Sequence, residues 1–372
     1  MHIVINAFSA RRGGGKTYLR NILMYLPQKK NLKVTVLTSL NSKFNFNHSN
    51  IEVKKIKFPV ENPLFRIVWE TFILPFYLRK INTDVFFCPG GVIPRLSFGK
   101  WKTVTMFRNM IPFDMDQRKK YPLGYMRVRN WLLSKSQLWS MENADLVIFI
   151  SEFAKGVITD FSKRGIKKSV VISHGVSDDF SSSISGTNTT PIFEEPYILY
   201  PSIIDVYKSQ KEVIQAISIL RDKKIVVPQL LLVGESYGVY GKEVQTMINK
   251  MGLSDVIKLT GPIPYRDMPL LYQHAKFVIF ASQSENCPNI LLESMASGKA
   301  VLSSNKMPMP EFGGNAVEYF DPNNPAGLAI LIEKMLKDDN LINQLGNLAN
   351  KKIKSLTWAS SANKTWLSLM NV

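Results

Sequence analysis

One strand–helix–strand segment constrains the fold of this chain more than any other feature. Residues 277–281 (Phe-Val-Ile-Phe-Ala) form an unbroken apolar run, which is typical of a buried parallel strand. A helix is predicted over residues 288–297, because proline is favoured at a helix start and Gly298 can end the helix in the left-handed conformation. A further strand is predicted at Ala300–Ser303. Parallel strands joined by a helix predict an α/β fold.

The same segment carries two carboxylates. Glu285 falls in the loop between the strand and the helix, and Glu293 falls eight positions later, inside the helix. The first backbone N–H groups of a helix and its dipole favour an anion, and the candidates here are Asn289, Ile290 and Leu291. Carboxylates beside an anion site suit a ligand that has hydroxyls as well as phosphate. A nucleotide sugar fits that description.

These residues resemble a family signature. Glu285 and Glu293, then Ala296-Ser297-Gly298-Lys299-Ala300-Val301 and Pro310-Glu311, are similar to the motif of the retaining GT-B glycosyltransferases of family 4, or group 1. The match spans most of residues 198–322, and weaker matches run through the first half. The resemblance implies a GT-B fold, with two doubly wound Rossmann-like domains facing across a cleft. A capped helix with two surface glutamates is the competing interpretation.

The resemblance also assigns roles in the second half of the chain. Glu293 would bind the ribose hydroxyls and Glu285 the donor sugar, while Lys208 would stabilise the leaving diphosphate. Glu285 and Lys208 are therefore the predicted catalytic residues. Ser202-Ile203 stands where the family carries Gly-Arg, so one expected cation is missing. Further candidates for the donor pocket by resemblance are Gly234 and Pro262, and neither a metal nor another cofactor is expected.

A glycine loop near the start of the chain invites a phosphate-binding interpretation. Gly13, Gly14 and Gly15 follow a predicted strand and precede a predicted helix, but the Walker pattern requires glycine at the position of Ala10. An NTPase is therefore disfavoured. The resemblance instead implies close approach of this backbone to the donor diphosphate and the acceptor. A plain tight turn is the alternative.

Three residues of the first half are predicted to lie on the acceptor side. Arg108 and Asn109 follow the predicted strand 103–107 and occupy the place where family members commonly carry a histidine. His174 ends the last strand of that half and is equally compatible with a structural role. Asp114-Met115-Asp116 also matches the Asp-x-Asp motif of the GT-A fold, which we interpret as coincidence, because two sheets and another donor signature are predicted.

The charge of the chain is concentrated in its first half. Residues 1–180 contain 29 Lys and Arg and 12 Asp and Glu, a net charge of 29 − 12 = +17, and the net charge of the whole chain is +18. This excess predicts an anionic partner, such as a membrane surface or a lipid diphosphate, or else a solubilising surface. The basic and aromatic stretch Arg118–Trp139 could dock on lipid or could simply cover the sheet. The apolar stretch Phe65–Leu78 is expected to pack on the sheet, and no motif supports nucleic acid.

The chain is long enough for two domains. We predict an acceptor-binding domain at 1–180, a linker at 181–196, a donor-binding domain at 197–356 and a C-terminal helix at 357–372 that packs back on the first domain. The start of the chain lacks the charged and long apolar regions of a signal peptide, and no run approaches ~20 apolar residues. Cys88 and Cys287 are expected to be reduced thiols. A cytoplasmic protein at the inner face of the membrane is therefore expected.

The predicted function is transfer of a sugar from a UDP- or GDP-sugar to a saccharide or lipid-diphosphate-linked acceptor in bacterial surface polysaccharide synthesis, such as O-antigen or capsule. A nucleotide-sugar epimerase or a phosphorylase on the same fold is an alternative. A non-catalytic nucleotide- or sugar-binding relative is another, because the usual Gly-Arg before Lys208 is absent.

Overall fold

The computed structural model describes residues 1–10, 14–96, 99–121, 124–181, 190–194, 196–236 and 238–372. Their contacts divide the chain into two units, each with its own parallel sheet. The first unit comprises residues 1–113, 121–175 and 358–372, and the second comprises residues 114–120 and 176–357.

The first unit is built on a seven-stranded parallel sheet with the order β3-β2-β1-β4-β5-β6-β7. Most of its strands are short and apolar, whereas the edge strand Ile51–Ile56 carries charged residues, and successive side chains alternate between the two faces. Strands β1 to β3 follow one another towards one edge of the sheet, and β4 to β7 follow one another towards the other edge, as in a Rossmann sheet. The strands are β1 (His2–Asn6), β2 (Lys33–Ser39), β3 (Ile51–Ile56), β4 (Val85–Cys88), β5 (Lys102–Phe107), β6 (Leu146–Phe149) and β7 (Ser169–Val171).

The helices of the first unit connect these strands. They are α1 (Gly14–Met24), α2 (Pro63–Val68), a π-helix (Trp69–Ile73), α3 (Leu74–Lys80), α5 (Tyr125–Asn143), α6 (Glu152–Phe161) and α14 (Trp358–Met370). Side-chain caps fix some of their starts: Ser151 Oγ, for example, accepts from the Ala154 N–H at 3.1 Å. The predicted apolar helix is helical from Pro63 to Lys80, and its π-helical turn directly precedes α3.

The second unit repeats the arrangement with six parallel strands in the order β10-β9-β8-β11-β12-β13. Its strands are β8 (Tyr197–Pro201), β9 (Gln229–Val233), β10 (Ile257–Gly261), β11 (Ala275–Phe280), β12 (Val301–Ser304) and β13 (Glu318–Phe320). Two parallel-strand sheets with interleaved helices are the architecture of the predicted GT-B fold class.

The helices of the second unit include one segment from the first half of the chain, α4 (Met115–Lys120). The others are α7 (Gln210–Asp222), α8 (Gly238–Lys250), α9 (Met268–His274), α10 (Asn289–Ala296), α11 (Met309–Gly313), α12 (Pro325–Lys337) and α13 (Asp339–Ile353). Short 3-10 helices lie at Asp178–Phe180, Val206–Lys208, Tyr265–Asp267 and Gly314–Ala316.

The division of the chain differs from the predicted ranges in two places. Residues 114–120 join the second unit, because Gln117 of α4 donates to Gln283 at 3.2 Å. The predicted single stretch Arg118–Trp139 is thus interrupted between α4 and α5. The first unit ends at Gly175 rather than at residue 180, since the Val176 N–H donates to the Leu356 carbonyl at 2.9 Å.

The C-terminal helix α14 belongs to the first unit. Trp366 is fully buried there, and its Nε1–H donates to the Ile22 carbonyl of α1 at 2.8 Å. The predicted linker 181–196 lies mostly outside the described residues. In the part of the chain that the structure describes, no helix combines the length and the apolarity needed to cross a bilayer.

Candidate functional site

The loop after β11 brings together the two residues predicted to be catalytic. Lys208 Nζ forms an ion pair with Glu285 Oε1, and Ser282 Oγ donates to the same oxygen at 2.7 Å. The contact depends on the pairing of β8 with β11, because the two residues are 77 positions apart. Among the described residues, nothing donates to Glu285 Oε2. One carboxylate oxygen is therefore held, and the other is available to a hydroxyl.

Lys208 is held in place from several sides. It is only 5% exposed, at the end of the 3-10 helix Val206–Lys208. Its Nζ lies 4.9 Å from the ring centroid of Tyr207 and 5.2 Å from that of Phe280. The next residue, Ser209, has the left-handed φ of 53°, which is a sparsely populated conformation for a residue other than glycine. The conformation of the local backbone thus directs the Lys208 ammonium group at Glu285.

Helix α10 begins directly after this loop. Its start at Asn289 and the left-handed Gly298, with φ 70°, agree with the predicted helix to within one residue. The helix has no side-chain cap, and no acceptor in the described part of the chain takes the N–H of Ile290 or Leu291. Uncapped N–H groups at a helix start attract anions. Their position next to Lys208 and Glu285 suits a phosphate.

Glu293 lies inside α10 in a desolvated environment. Tyr265 donates its hydroxyl to Glu293 Oε1 at 2.7 Å. Burial raises the pKa of the Glu293 carboxyl to about 7, although the tyrosine hydrogen bond acts in the opposite direction. Burial and the neighbouring Glu293 charge together raise the pKa of Tyr265. The carboxyl therefore keeps its proton to a higher pH than an ordinary glutamate does.

Two loops border the strand ends of the same sheet. Gly234 follows β9, and a Cβ at this position would lie 2.1 Å from the Ser202 carbonyl oxygen, so only glycine fits. Ser202 and Ile203 stand where the family pattern predicts Gly-Arg, so the arginine that the pattern predicts is absent from the sequence there. Pro262 follows β10 and leads into the turn that carries Tyr265.

Gln283, which no sequence motif indicates, is the centre of a polar network. Its amide oxygen accepts from Gln117 and Lys120 of α4, and its amide nitrogen donates to Ser209 at 2.6 Å and to Asn323 at 3.1 Å. Burial lowers the pKa of Lys120. The network fixes the start of the loop that ends at Glu285. Its only sequence signal is a polar residue two positions after the predicted buried strand 277–281.

In the first unit, Arg108 lies near the glycine loop. Its guanidinium lies 5.6 Å from the ring centroid of Tyr18, and a Cβ on Gly15 would be 3.1 Å from Nη2. Nε is buried without a hydrogen-bond partner, and no described carboxylate forms an ion pair with this arginine. Burial accordingly lowers the pKa of Arg108. Gly14 is the first residue of α1, and Gly13 lies outside the described residues.

The other two residues predicted on the acceptor side, His174 and Asn109, make contacts within the first unit. His174 is buried, with its ring 5.3 Å from that of Tyr18 and 5.4 Å from that of Trp358. Asn109 is exposed, and its Oδ1 accepts from the Ile111 N–H at 3.3 Å. The structure therefore brings Arg108 and Gly15 together, whereas His174 packs in an aromatic stack and Asn109 stabilises a turn.

The Asp-x-Asp motif takes part in helix formation. Asp114 Oδ1 accepts from the Gln117 N–H at 3.0 Å and so caps α4, while Asp116 lies 3.9 Å from Lys119. Within the described ranges, no group of three or more His, Cys, Asp and Glu side chains could hold a metal ion. The interpretation of this motif as coincidence agrees with its role as a cap.

Family models match both halves of the chain. The model described as "Glycosyltransferase Family 4" matches residues 12–180, and the model described as "Glycosyl transferases group 1" matches residues 189–352. The second match includes Lys208, Glu285 and Glu293.

Curated relatives and solved structures are similar to the chain at low identity. It is 25% identical over 302 residues to the serotype-specific mannosyltransferase WbdA of Escherichia coli, covering 78% of this chain but only 35% of WbdA. It is 24% identical to the O-antigen chain mannosyltransferase B of E. coli, covering 77% of this chain and 74% of the relative. The structure of Anabaena Alr3699/HepE in complex with UDP superposes with a TM-score of 0.73 at 16% identity, covering 100% of both chains, which shows the shared fold.

Proposed function

We propose a function from the premise that the chain belongs to glycosyltransferase family 4, the group 1 glycosyl transferases. It transfers a hexose from a nucleoside-diphosphate sugar to a saccharide acceptor, with retention of the anomeric configuration. The observation that carries the proposal is the Lys208–Glu285 pair beside the uncapped start of α10. The relatives named for mannosyl transfer and the UDP complex of HepE support the same chemistry.

The donor would bind to the second unit through charge and hydroxyl contacts. The diphosphate becomes more negative as the glycosidic bond breaks, and Lys208 with the N–H groups of Ile290 and Leu291 would stabilise that charge without a metal. The unoccupied Oε2 of Glu285 would accept a hydroxyl of the donor sugar, while Glu293 would accept from the ribose. Lys208 therefore both orients Glu285 and neutralises the leaving group.

The acceptor would be linked to a lipid diphosphate in bacterial surface polysaccharide synthesis. The name of the O-antigen chain mannosyltransferase supports this class of product. The basic first half of the chain favours an anionic acceptor at an anionic membrane surface on the cytoplasmic side. Arg108 supports the same assignment, because a desolvated cation without a carboxylate partner favours an anionic ligand.

Nucleotide-dependent stabilisation tests the donor site. A ligand present at ~100 times its dissociation constant stabilises the folded state by about 2.7 kcal/mol. We therefore expect UDP or GDP to raise the melting temperature of the wild type, and Glu293→Ala to lose most of that increase while remaining folded. ADP serves as the comparison nucleotide. A melting temperature that no nucleotide changes, together with no transfer of labelled sugar to a lipid diphosphate, would contradict the proposal.

Replacement of Arg108 should raise the stability of the protein and lower its affinity for an anionic ligand. Arg108→Met removes a desolvated cation, so we expect the free energy of unfolding to rise by about 1 kcal/mol. With the proposed donor site saturated by UDP or GDP, the affinity for pyrophosphate should fall about ten-fold, because a charged hydrogen bond is lost. Denaturant unfolding and titration calorimetry measure the two effects. Arg20→Met, on the exposed side of α1, is the matched control and should change neither. Unchanged pyrophosphate affinity in Arg108→Met would remove the assignment.

A further inference from the structure

A continuous helical segment of the first unit presents apolar side chains to solvent. One side of the segment 63–80 is buried, with Trp69, Leu74 and Leu78 in the core. The other side is apolar as well, since Leu64, Phe72 and Phe76 are 74%, 58% and 61% exposed. The expectation that Phe65–Leu78 simply packs on the sheet is therefore only half correct. Further exposed apolar residues of the segment are Phe65, Ile67, Val68 and Ile73.

The first half of α5 has the same character. Tyr125 and Trp131 are 73% and 50% exposed, and Val128 and Leu132 are exposed between and after them. These positions recur at intervals of three and four residues, so they share one side of the helix. A helix that only covers a sheet carries polar residues on its outer side. The packing of the described part of the first unit thus does not explain the exposed apolar side of α5.

Both helical segments lie over the same face of the first sheet. One core cluster contains Trp69 and Leu78 from the segment 63–80 and Met141 from α5, together with Val4 and Phe149 from the strands. Residues of alternating position in a strand point to opposite faces, so a shared cluster means a shared face. The exposed sides of the two segments therefore point away from the same side of the sheet. We call these exposed residues the apolar strip.

The sequence that carries the apolar strip is strongly basic. Residues 62–113 and 121–141 contain ten Lys and Arg but only two acidic residues, Glu70 and Asp84. Arg66 pairs with Glu70 at 2.9 Å, and Asn6 donates to the same carboxylate at 2.8 Å. Asp84 accepts from the His2 N–H at 2.7 Å. Both carboxylates have contacts within the unit, and Asp145 pairs with Lys102 at 3.3 Å, so an external anion would meet a net excess of basic residues in these two ranges.

We infer that the apolar strip inserts into the headgroup region of an anionic lipid bilayer. Aromatic and aliphatic side chains flanked by cations are the composition of interfacial segments, in which rings lie at headgroup level. A second copy of the chain is a poor occupant, because two surfaces with the same basic excess would repel each other. The inference deepens the proposed function, since a lipid-linked acceptor lies in that bilayer.

Vesicle flotation of the full chain tests this inference. The wild type should bind vesicles that contain anionic phosphatidylglycerol, and raising the salt from about 0.1 M to about 1 M should weaken binding without abolishing it, because apolar insertion is not screened. The variant Leu64→Ser/Phe72→Ser/Phe76→Ser should bind about a hundred-fold more weakly, since three large apolar side chains no longer insert. Because these side chains are exposed, the variant should fold normally.

Two controls make the result specific. Leu367→Ser changes a side chain that is 56% exposed on α14, which packs on α1, and should bind vesicles like the wild type. The triple variant should keep the nucleotide-dependent rise in melting temperature, since the donor residues lie in the second unit. This readout distinguishes failure of the inference from failure of the proposed function.

The remaining outcomes overturn the inference. Wild-type protein that does not bind anionic vesicles at low salt would overturn it, as would a triple variant that binds them as well as the wild type. Sedimentation velocity supplies the last test. A wild-type dimer that the triple substitution converts to a monomer, with no vesicle binding by either protein, would assign the apolar strip to a second copy of the chain.

Discussion

Lys208→Met is expected to lower the free energy of unfolding by about 3 kcal/mol and to reduce sugar transfer at least a hundred-fold. The substitution leaves Glu285 as a desolvated carboxylate, with only the Ser282 hydroxyl as a donor in the described part of the chain. It also removes the cation that would stabilise the leaving diphosphate. Denaturant unfolding and an assay with a labelled nucleotide sugar measure the two losses separately.

The double variant Lys208→Met/Glu285→Gln distinguishes the structural contribution of this ion pair from its catalytic one. Replacing both partners removes the unpaired charge, so most of the lost stability should return. Activity should not return, because neither the cation nor the carboxylate is present. A double variant that transfers sugar at the wild-type rate would exclude a catalytic role for the pair.

An exposed ion pair in the same unit provides the control. Lys211 Nζ lies 2.6 Å from Glu243 Oε2, with side chains that are 35% and 50% exposed. Surface pairs contribute little, because water screens both charges. Lys211→Met should therefore change the free energy of unfolding by less than about 1 kcal/mol and leave transfer intact. An equal loss at both sites would show that the Lys208 effect is not due to burial.

Glu293 should make stability and nucleotide affinity respond to pH in opposite directions. Its folded-state pKa of about 7 lies above the usual value of 4.5, so the folded protein holds the proton more tightly than the unfolded chain. The stability from this shift is fully present below about pH 4.5 and is lost as the pH rises through about 7. Relative to Glu293→Gln, the wild type should lose up to about 3 kcal/mol over that range.

Nucleotide affinity should rise where stability falls. Ribose hydroxyls donate to a carboxylate better than to a carboxylic acid, so we expect about ten-fold tighter binding at about pH 8 than at about pH 6. Calorimetric titrations with UDP and GDP measure this change. The protonation of the nucleotide is the same in both titrations. The difference in affinity between wild type and Glu293→Gln therefore reports the side chain of residue 293 alone.

Tyr265→Phe tests whether Glu293 is the titrating group, because the tyrosine hydrogen bond opposes the rise in its pKa. The tyrosine hydroxyl stabilises the ionised form of Glu293, so its removal should move the stability transition to higher pH. A transition that stays at the wild-type pH in Tyr265→Phe, or one that persists in Glu293→Gln, would assign the pH dependence to another group.

Local patterns in the sequence predicted the parts of the site that are close together along the chain. Proline at 288, Gly298 and the apolar strand before them placed helix α10 and the loop of Glu285 correctly, because caps and strand ends are determined by neighbouring residues. The alternation of strands and helices likewise predicted both parallel sheets.

Contacts that depend on strand order could not be obtained in this way. The Gln283 network joins α4 to the second unit, and Tyr265 reaches Glu293 from 28 positions away. The contact of Tyr265 requires the order of β10, β9, β8 and β11 in the sheet, which hydrophobic periodicity does not encode, and that of Gln117 joins residues 166 positions apart. The exposed apolar side of the segment 63–80 could not be predicted for a related reason. An apolar run shows that a helix has an apolar side to bury, but it does not show that a second side is apolar too.

The return of α14 to the first unit limits how this protein can be recombined with its relatives. Trp366 fills a buried position against α1, so residues 358–372 belong with residues 1–113 rather than with the segment that precedes them. A chimera cut once near residue 180 would join a foreign tail to the native α1. Exchange of the second unit between family members would therefore require replacement of residues 176–357 together with α4, because Gln117 of α4 contacts Gln283.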